Sequence, residues 1–201
     1  MDLNSMNHIL IGTIVYEYLN EKYGIVLNKS RFLTGNTCPD HGISFLRPHK
    51  MRYCNKMVRR KTEKLCRNDY QIISAKASKK LGILCHYYAD FFCCAHSSQF
   101  SGSIRQHVRY ENELLQFMRE NYSAFRGMDY VANAAVPVSV TEINNRMRGL
   151  IEKKPAKEYD FGTELFCAIQ ACAILVLSVS LAILSQYSQV LQQELGMRKT
   201  A

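Results

Sequence analysis

The sequence predicts an all-α fold, a single compact multi-helix domain over residues 1–201. Three observations lead there. Apolar residues recur at helical spacing in one segment after another. The chain holds only four prolines and no Asn-Gly or Asp-Gly pair to close a hairpin, which argues against a sandwich or barrel. Its 201 residues, 47% apolar and 21% charged, suffice for one hydrophobic core and exclude wholesale disorder.

In order along the chain, residues 6–22 place Ile9, Ile11, Ile14, Val15, Tyr18 and Leu19 at roughly helical intervals, a first amphipathic helix. Residues 23–50 carry Gly24, Gly35, Pro39, Gly42 and Pro48, and read as a long ordered loop with short turns. The basic stretch 50–67 reads as a helix. Asp69 or Ser74 opens the next one, which runs through LGILCHYYADFFCCAH. Ser101 or Ser103 caps a helix to about Asn121, and 123–138 reads as irregular. Ser139 with Glu142 has the form of a capping box for a helix over 139–153. Pro155 ends that helix, and Asp160 or Thr163 starts a last one to about Leu195.

Within this last helix, residues 165–184 are twenty residues without a charge, long enough to cross a bilayer. Gln170, Ser178 and Ser180 interrupt the run, and its flanks lack an aromatic belt or tight basic cluster. A central helix surrounded by neighbours is therefore expected rather than a span.

The net charge of +9 is concentrated in one place. Residues 47–80 hold twelve basic and two acidic residues, and the remainder is close to neutral. The plainer meaning of such a run is a solvated helix face. The functional meaning is an anionic partner, and a phospholipid surface fits better than nucleic acid because Tyr53 and Tyr70 are the only aromatic residues available for stacking. Eight cysteines are too few for a disulfide scaffold, and the N-terminal residues MDLNSMNHIL have no basic region of a secretory signal. A cytoplasmic protein with reduced thiols, peripheral at a membrane if anywhere near one, is expected.

The histidines carry the chemistry. His86 and Asp90 stand four residues apart, so both emerge from one helix face a turn apart, and His107 and Glu111 repeat the spacing. Such pairs also occur as surface hydrogen bonds. Two of them, twenty-one residues apart with His96 between and apolar surroundings, favour a metal site, because burying His and Asp is costly unless they are paired or metal-bound. Cys38, Cys85, Cys93 and Cys94 lie near these residues but form no C-x2-C pair, and core packing is the expectation for them. Tyr87, Tyr88, Phe91 and Phe92 read as packing residues too.

The string H-x3-D-x5-H…H-x3-E, made by His86, Asp90, His96, His107 and Glu111, resembles the metal-binding core of the zinc-dependent phospholipase C family of bacterial type. That family also draws a histidine from its first helix, matched by His8, and an aspartate and a histidine from the following segment, matched by Asp40 and His49. The resemblance implies a compact all-α enzyme holding two to three zinc ions. One would sit among Asp40, His49, His86 and Asp90. A second would share Asp90 and add His8, and a third would sit among His96, His107 and Glu111. His41 has no counterpart. The chain departs from the secreted members in having no tryptophan, the residue that completes their His8-type site, and no proline shortly before His96. Occupancy of the His8 site is therefore left open.

By the same resemblance, the reaction would be hydrolysis of a phospholipid headgroup or other phosphodiester by a metal-activated hydroxide. Asp90 would join two ions, and Asp40 would be both ligand and catalytic general base. Two alternatives stand beside it: a zinc-dependent single-strand nuclease, and a non-catalytic metal-binding or membrane-associated protein.

Overall fold

The computed structural model describes residues 3–41, 49–67, 73–132, 136–153 and 160–198, with side chains described between 5 and 188. Among them the chain is all-α: α1 (Leu3–Tyr23), α2 (Lys29–Thr37), α3 (Met51–Cys66), α4 (Ala75–Phe92), α5 (Ile104–Glu120), α6 (Tyr122–Arg126), α7 (Val140–Glu152) and α8 (Phe161–Arg198). Single 3-10 turns at Cys38–Asp40 and Cys94–His96 follow α2 and α4.

The caps sit at expected positions, and the choices left open at α4, α5 and α8 are resolved. Ser74 accepts from the Ala77 amide at 3.1 Å and opens α4, while Asp69 lies outside the described residues. Ser103 rather than Ser101 opens α5, in a reciprocal box with Gln106. The Ser139–Glu142 box opens α7. Asp160 accepts from the Thr163 amide at 2.9 Å and starts α8. Pro155 falls outside the described residues.

Two segments expected to be irregular contain helix. The short α6 runs into the start of 123–138, and α2 lies within the expected loop of 23–50. Gly35 argued against a helix there, yet it is what permits this one. A Cβ on Gly35 would overlap the Lys79 carbonyl oxygen of α4, and a Cβ on Gly82 would overlap the Phe32 carbonyl oxygen of α2. The two helices therefore meet backbone to backbone, a packing reason for glycine that local propensity does not reveal.

α4 is the structural centre. Every residue from Leu84 to Phe92 is buried, and α2, α8, α3 and α1 all pack against it. α8 closes the other side with Leu165, Ile169, Cys172, Leu175 and Val176. Its most apolar window is 78% buried within the fold, which is compatible with a core helix rather than a span. Burial on this scale leaves α4 almost no solvent. A polar group on its C-terminal half needs a specific partner.

Candidate metal centre

In the C-terminal half of α4 two buried residues carry an imidazole and a carboxylate that face its neighbours: His86, fully buried, and Asp90, 2% exposed. Four other segments bring side chains to them. α1 supplies His8 from its second turn. Asp40 closes the 3-10 turn after α2, where Pro39 presets the backbone. His49 directly precedes α3, whose N-cap residue Lys50 donates to the Ser97 carbonyl at 3.1 Å and so ties that entry to the segment after His96. The 3-10 turn after α4 carries His96, and the opening turns of α5 carry His107 and Glu111.

These residues converge on the Asp90 carboxylate. Its Oδ2 lies 3.1 Å from His49 Nδ1 and 3.2 Å from His86 Nε2. Its Oδ1 lies 3.3 Å from His8 Nε2 and 3.6 Å from His96 Nε2. Asp40 Oδ1 stands 3.4 Å from His86 Nε2 and 3.8 Å from His49 Nδ1. On the far side, Glu111 Oε1 takes His96 Nε2 at 3.1 Å and His107 Nε2 at 3.0 Å. All eight residues singled out in the sequence thus lie in one continuous cluster. His41 is exposed and belongs to none of its groups.

Three sets of donor atoms are close enough to share an ion: His8, Asp40 and His86; His49, His86 and Asp90; and His96, His107 and Glu111. A tetrahedral zinc with ligands at about 2.0–2.2 Å separates neighbouring ligand atoms by about 3.4 Å. The separations around Asp90 and Asp40, from 3.1 to 3.8 Å, bracket that figure.

Electrostatics supply a second test of fit. The His86 Nδ1–H donates to the Asn36 carbonyl at 2.8 Å, so Nε2 carries the ring's remaining valence into the cluster. Burial first, and then the His8 charge, lower the His86 pKa, which leaves the ring neutral and Nε2 a bare lone pair. That lone pair faces two carboxylate oxygens, and His49 Nδ1 at 3.0 Å can offer at most one proton between them. Asp40 Oδ2 and His49 Nε2 are buried with no hydrogen-bond partner among the described residues. Electron pairs converging without enough protons are what a divalent cation neutralises. The donor set is imidazole and carboxylate throughout, which suits zinc.

In a chain stripped of metal by chelator, protons take that role. Burial by itself lowers His8, but the Asp90 charge and hydrogen bond, helped by Asp40 and Glu111, carry it up to about 9. Burial by itself raises Asp90, yet His96, His86 and His8 together with the His49 hydrogen bond hold it well below its ordinary range. Glu111, likewise raised by burial alone, is brought down to about 2 by hydrogen bonds from His107 and His96.

A pH dependence of the metal-free chain follows. The Glu111 contribution is complete above about 4.5, its ordinary value, and is lost as pH falls through about 2. The His8 contribution is complete below about 6.5 and is lost as pH rises through about 9. In excess chelator, the melting temperature should peak between about pH 4.5 and 6.5 and decline on both sides. A profile flat from pH 3 to pH 9 would contradict these charge pairings.

Several supporting residues escaped the sequence reading. Asn36 fixes the His86 tautomer from α2. Asn7 donates to the Glu111 carbonyl at 3.0 Å, joining α1 to α5. Glu164, 1% exposed in the first turn of α8, accepts from the Cys94 amide at 3.1 Å and from the Tyr110 hydroxyl at 2.6 Å. It thereby anchors both the turn bearing His96 and the helix bearing His107. A lone carboxylate at the head of an apolar helix was the available signal. The cysteines are all free thiols. Cys93, which lines a cavity with His8, Asp90 and Glu111, is pushed well above its ordinary value by burial and then by the Glu164, Glu111 and Asp90 charges, which disfavours the thiolate a metal needs.

The family model for zinc-dependent phospholipase C matches residues 7–160, a stretch that contains every member of the cluster. The chain belongs to the zinc-dependent phospholipase C family. Membership accounts for the all-α fold and implies zinc-dependent hydrolysis. Searches of curated proteins and of solved structures return no match to this chain. The stretch matched runs from the second turn of α1 through α7 and stops at Asp160, the N-cap of α8.

Proposed function

We propose that residues 1–201 form one phospholipase C-type domain that hydrolyses the phosphodiester of a phospholipid headgroup, with Asp40, His49, His86 and Asp90, then Asp90 with His8, then His96, His107 and Glu111 holding two to three zinc ions. The observation that carries this reading is the convergence of four histidines on both oxygens of Asp90, a carboxylate 2% exposed. Zinc bound there supplies Lewis-acid neutralisation of the phosphodiester's negative charge and lowers the pKa of an attacking water.

The chain's own residues divide the remaining work. His86 and Asp90, 0% and 3% exposed at the side chain, form the floor of the site. Asp40 at 17%, His96 at 16% and His107 at 27% form its open edge, so the phosphodiester approaches past these three. Asp40 is the general base: Oδ1 faces His86 and His49, while Oδ2 is unpartnered and free to take a proton from the nucleophilic water. Asp90 orients the histidines, and Asn36 and Glu164 hold His86 and the His96 turn in register.

A substrate panel tests this. With zinc, diacylglycerol should be released from phosphatidylcholine or phosphatidylinositol, and chelator should abolish the release. Cleavage confined to single-stranded DNA would indicate a nuclease instead. A zinc-loaded chain inert toward phospholipid, DNA and a chromogenic phosphodiester would indicate a metal-binding protein without turnover.

A further inference from the structure

Away from the metal cluster, α3 and α4 enclose a groove of about 370 Å³ lined by Met57, Arg60, Lys61, Lys64, Lys80 and Ile83. We propose that this groove is a docking site for the anionic face of a phospholipid bilayer, taking a negatively charged headgroup between Arg60, Lys61 and Lys64 and the start of its acyl region against Met57 and Ile83. The interaction extends the hydrolysis reading by naming the surface on which the substrate is met, but it is a binding property that stands without turnover.

The residues come from the pattern of α3. Cys54, Val58, Thr62, Leu65 and Cys66 form its buried stripe. The opposite face presents Arg52, Lys56, Arg59, Arg60, Lys61, Lys64 and Arg67, all exposed, against one acidic residue of that helix, Glu63. Among the described residues, Arg60, Lys61 and Lys64 make no ion pair. A surface with this many uncompensated like charges is costly to keep unless it meets an anion. Met51, 38% exposed, and Tyr53, 51% exposed, stand at the entry of the same helix, with Arg52 stacked 4.5 Å from the Tyr53 ring centroid. Cations clustered on one exposed face are drawn to an anionic lipid surface by about 1 kcal/mol per residue, or about fivefold in affinity, and Met51 and Tyr53 add exposed apolar and aromatic area beside them.

Two features favour lipid over nucleic acid. The groove walls that are not cationic are aliphatic, Met57 and Ile83, and offer no ring for a base to stack on. The position also suits delivery to the cluster. α3 begins two residues after His49, and Ile83 precedes His86 by one turn on α4, so groove and cluster are separated by about 4.5 Å of helix rise along α4.

The test is sedimentation of the zinc-loaded full chain with sucrose-filled vesicles, either pure phosphatidylcholine or phosphatidylcholine with phosphatidylserine. Diacylglycerol is assayed on the same pellets, so that binding and turnover are read separately. Binding should be at least tenfold stronger to the anionic vesicles and should fall as salt is raised. Arg60→Ala/Lys61→Ala/Lys64→Ala should weaken anionic binding by roughly a hundredfold, at about fivefold per charge. A control of equal net charge, Arg31→Ala/Arg105→Ala/Arg119→Ala, should stay within a few fold of the parent. Circular dichroism should confirm that both variants remain helical; if the groove triple does not, single replacements of Arg60, Lys61 and Lys64 take its place, each expected to cost about fivefold. Equal binding to both vesicle types, equal losses in the two triples, or tighter groove-dependent binding to single-stranded DNA than to vesicles would each overturn the proposal. Anionic binding with no diacylglycerol would support it while counting against the hydrolysis reading.

Discussion

Asp90→Asn should empty most of the metal centre. The substitution keeps the size of the side chain but removes the charge that faces His8, His49, His86 and His96 at 3.1–3.6 Å. In the zinc assignment proposed above, two of the three sites use that carboxylate, and it also borders the His8, Asp40 and His86 set through His8 Nε2 at 3.3 Å and His86 Nε2 at 3.2 Å; the set of His96, His107 and Glu111 does not include it. Zinc content measured by plasma mass spectrometry should fall to at most one ion per chain, and turnover by roughly four orders of magnitude or more. Stability should fall as well. In chelator, His8 would lose the buried anion that now pairs with it, while His96 keeps Glu111 at 3.1 Å, a loss of about 3 kcal/mol for an orphaned buried partner. For a chain of this length that corresponds to roughly 6–12 °C in melting temperature. A variant that kept its full zinc complement would remove Asp90 from the centre of the account.

Asp40→Asn should behave differently, and the contrast separates a hub from a base. Asn keeps an oxygen where Oδ1 now lies near His86 and His49, but Oδ2, the unpartnered atom, becomes an amide nitrogen that cannot accept a proton. Zinc content should remain within one ion of the parent, and the fold should be intact because Asp40 sits at the edge of the cluster rather than in its floor. Turnover should drop by roughly two to four orders of magnitude, the usual size of a lost general base. The loss should fall on kcat, with KM nearly unchanged, since the proton is taken only as the reaction proceeds. Near-parental kcat would assign Asp40 a ligand role alone. A drop in kcat with complete loss of zinc would leave its role as base unsupported.

The legible parts of this protein were those encoded in short-range spacing. His86 with Asp90 and His107 with Glu111 could be placed on common helix faces because a helix repeats every 3.6 residues. The caps at Ser74, Ser103, Ser139 and Asp160 could be read because each compensates amides within three residues. The segment between α1 and α3 was legible only through family resemblance. Nothing local in GNTCPDHGISFLRPHK says that Asp40 and His49 face the same histidine; that depends on where α2 delivers the chain. α2 itself was hidden because its glycine serves a contact with Gly82, forty-seven residues away. The same limit applies to Asn36 and Glu164, whose partners lie fifty and seventy residues distant. Long-range backing of a site is written in packing, and packing is not periodic.

Crystals of the zinc-loaded chain, measured on both sides of the zinc absorption edge, address the whole account. It predicts two or three anomalous peaks, with at least one within about 2.2 Å of an Asp90 oxygen and another within the same distance of Glu111 Oε1. Peaks confined to cysteine sulfur, or none beside Asp90 at full zinc loading, would contradict it.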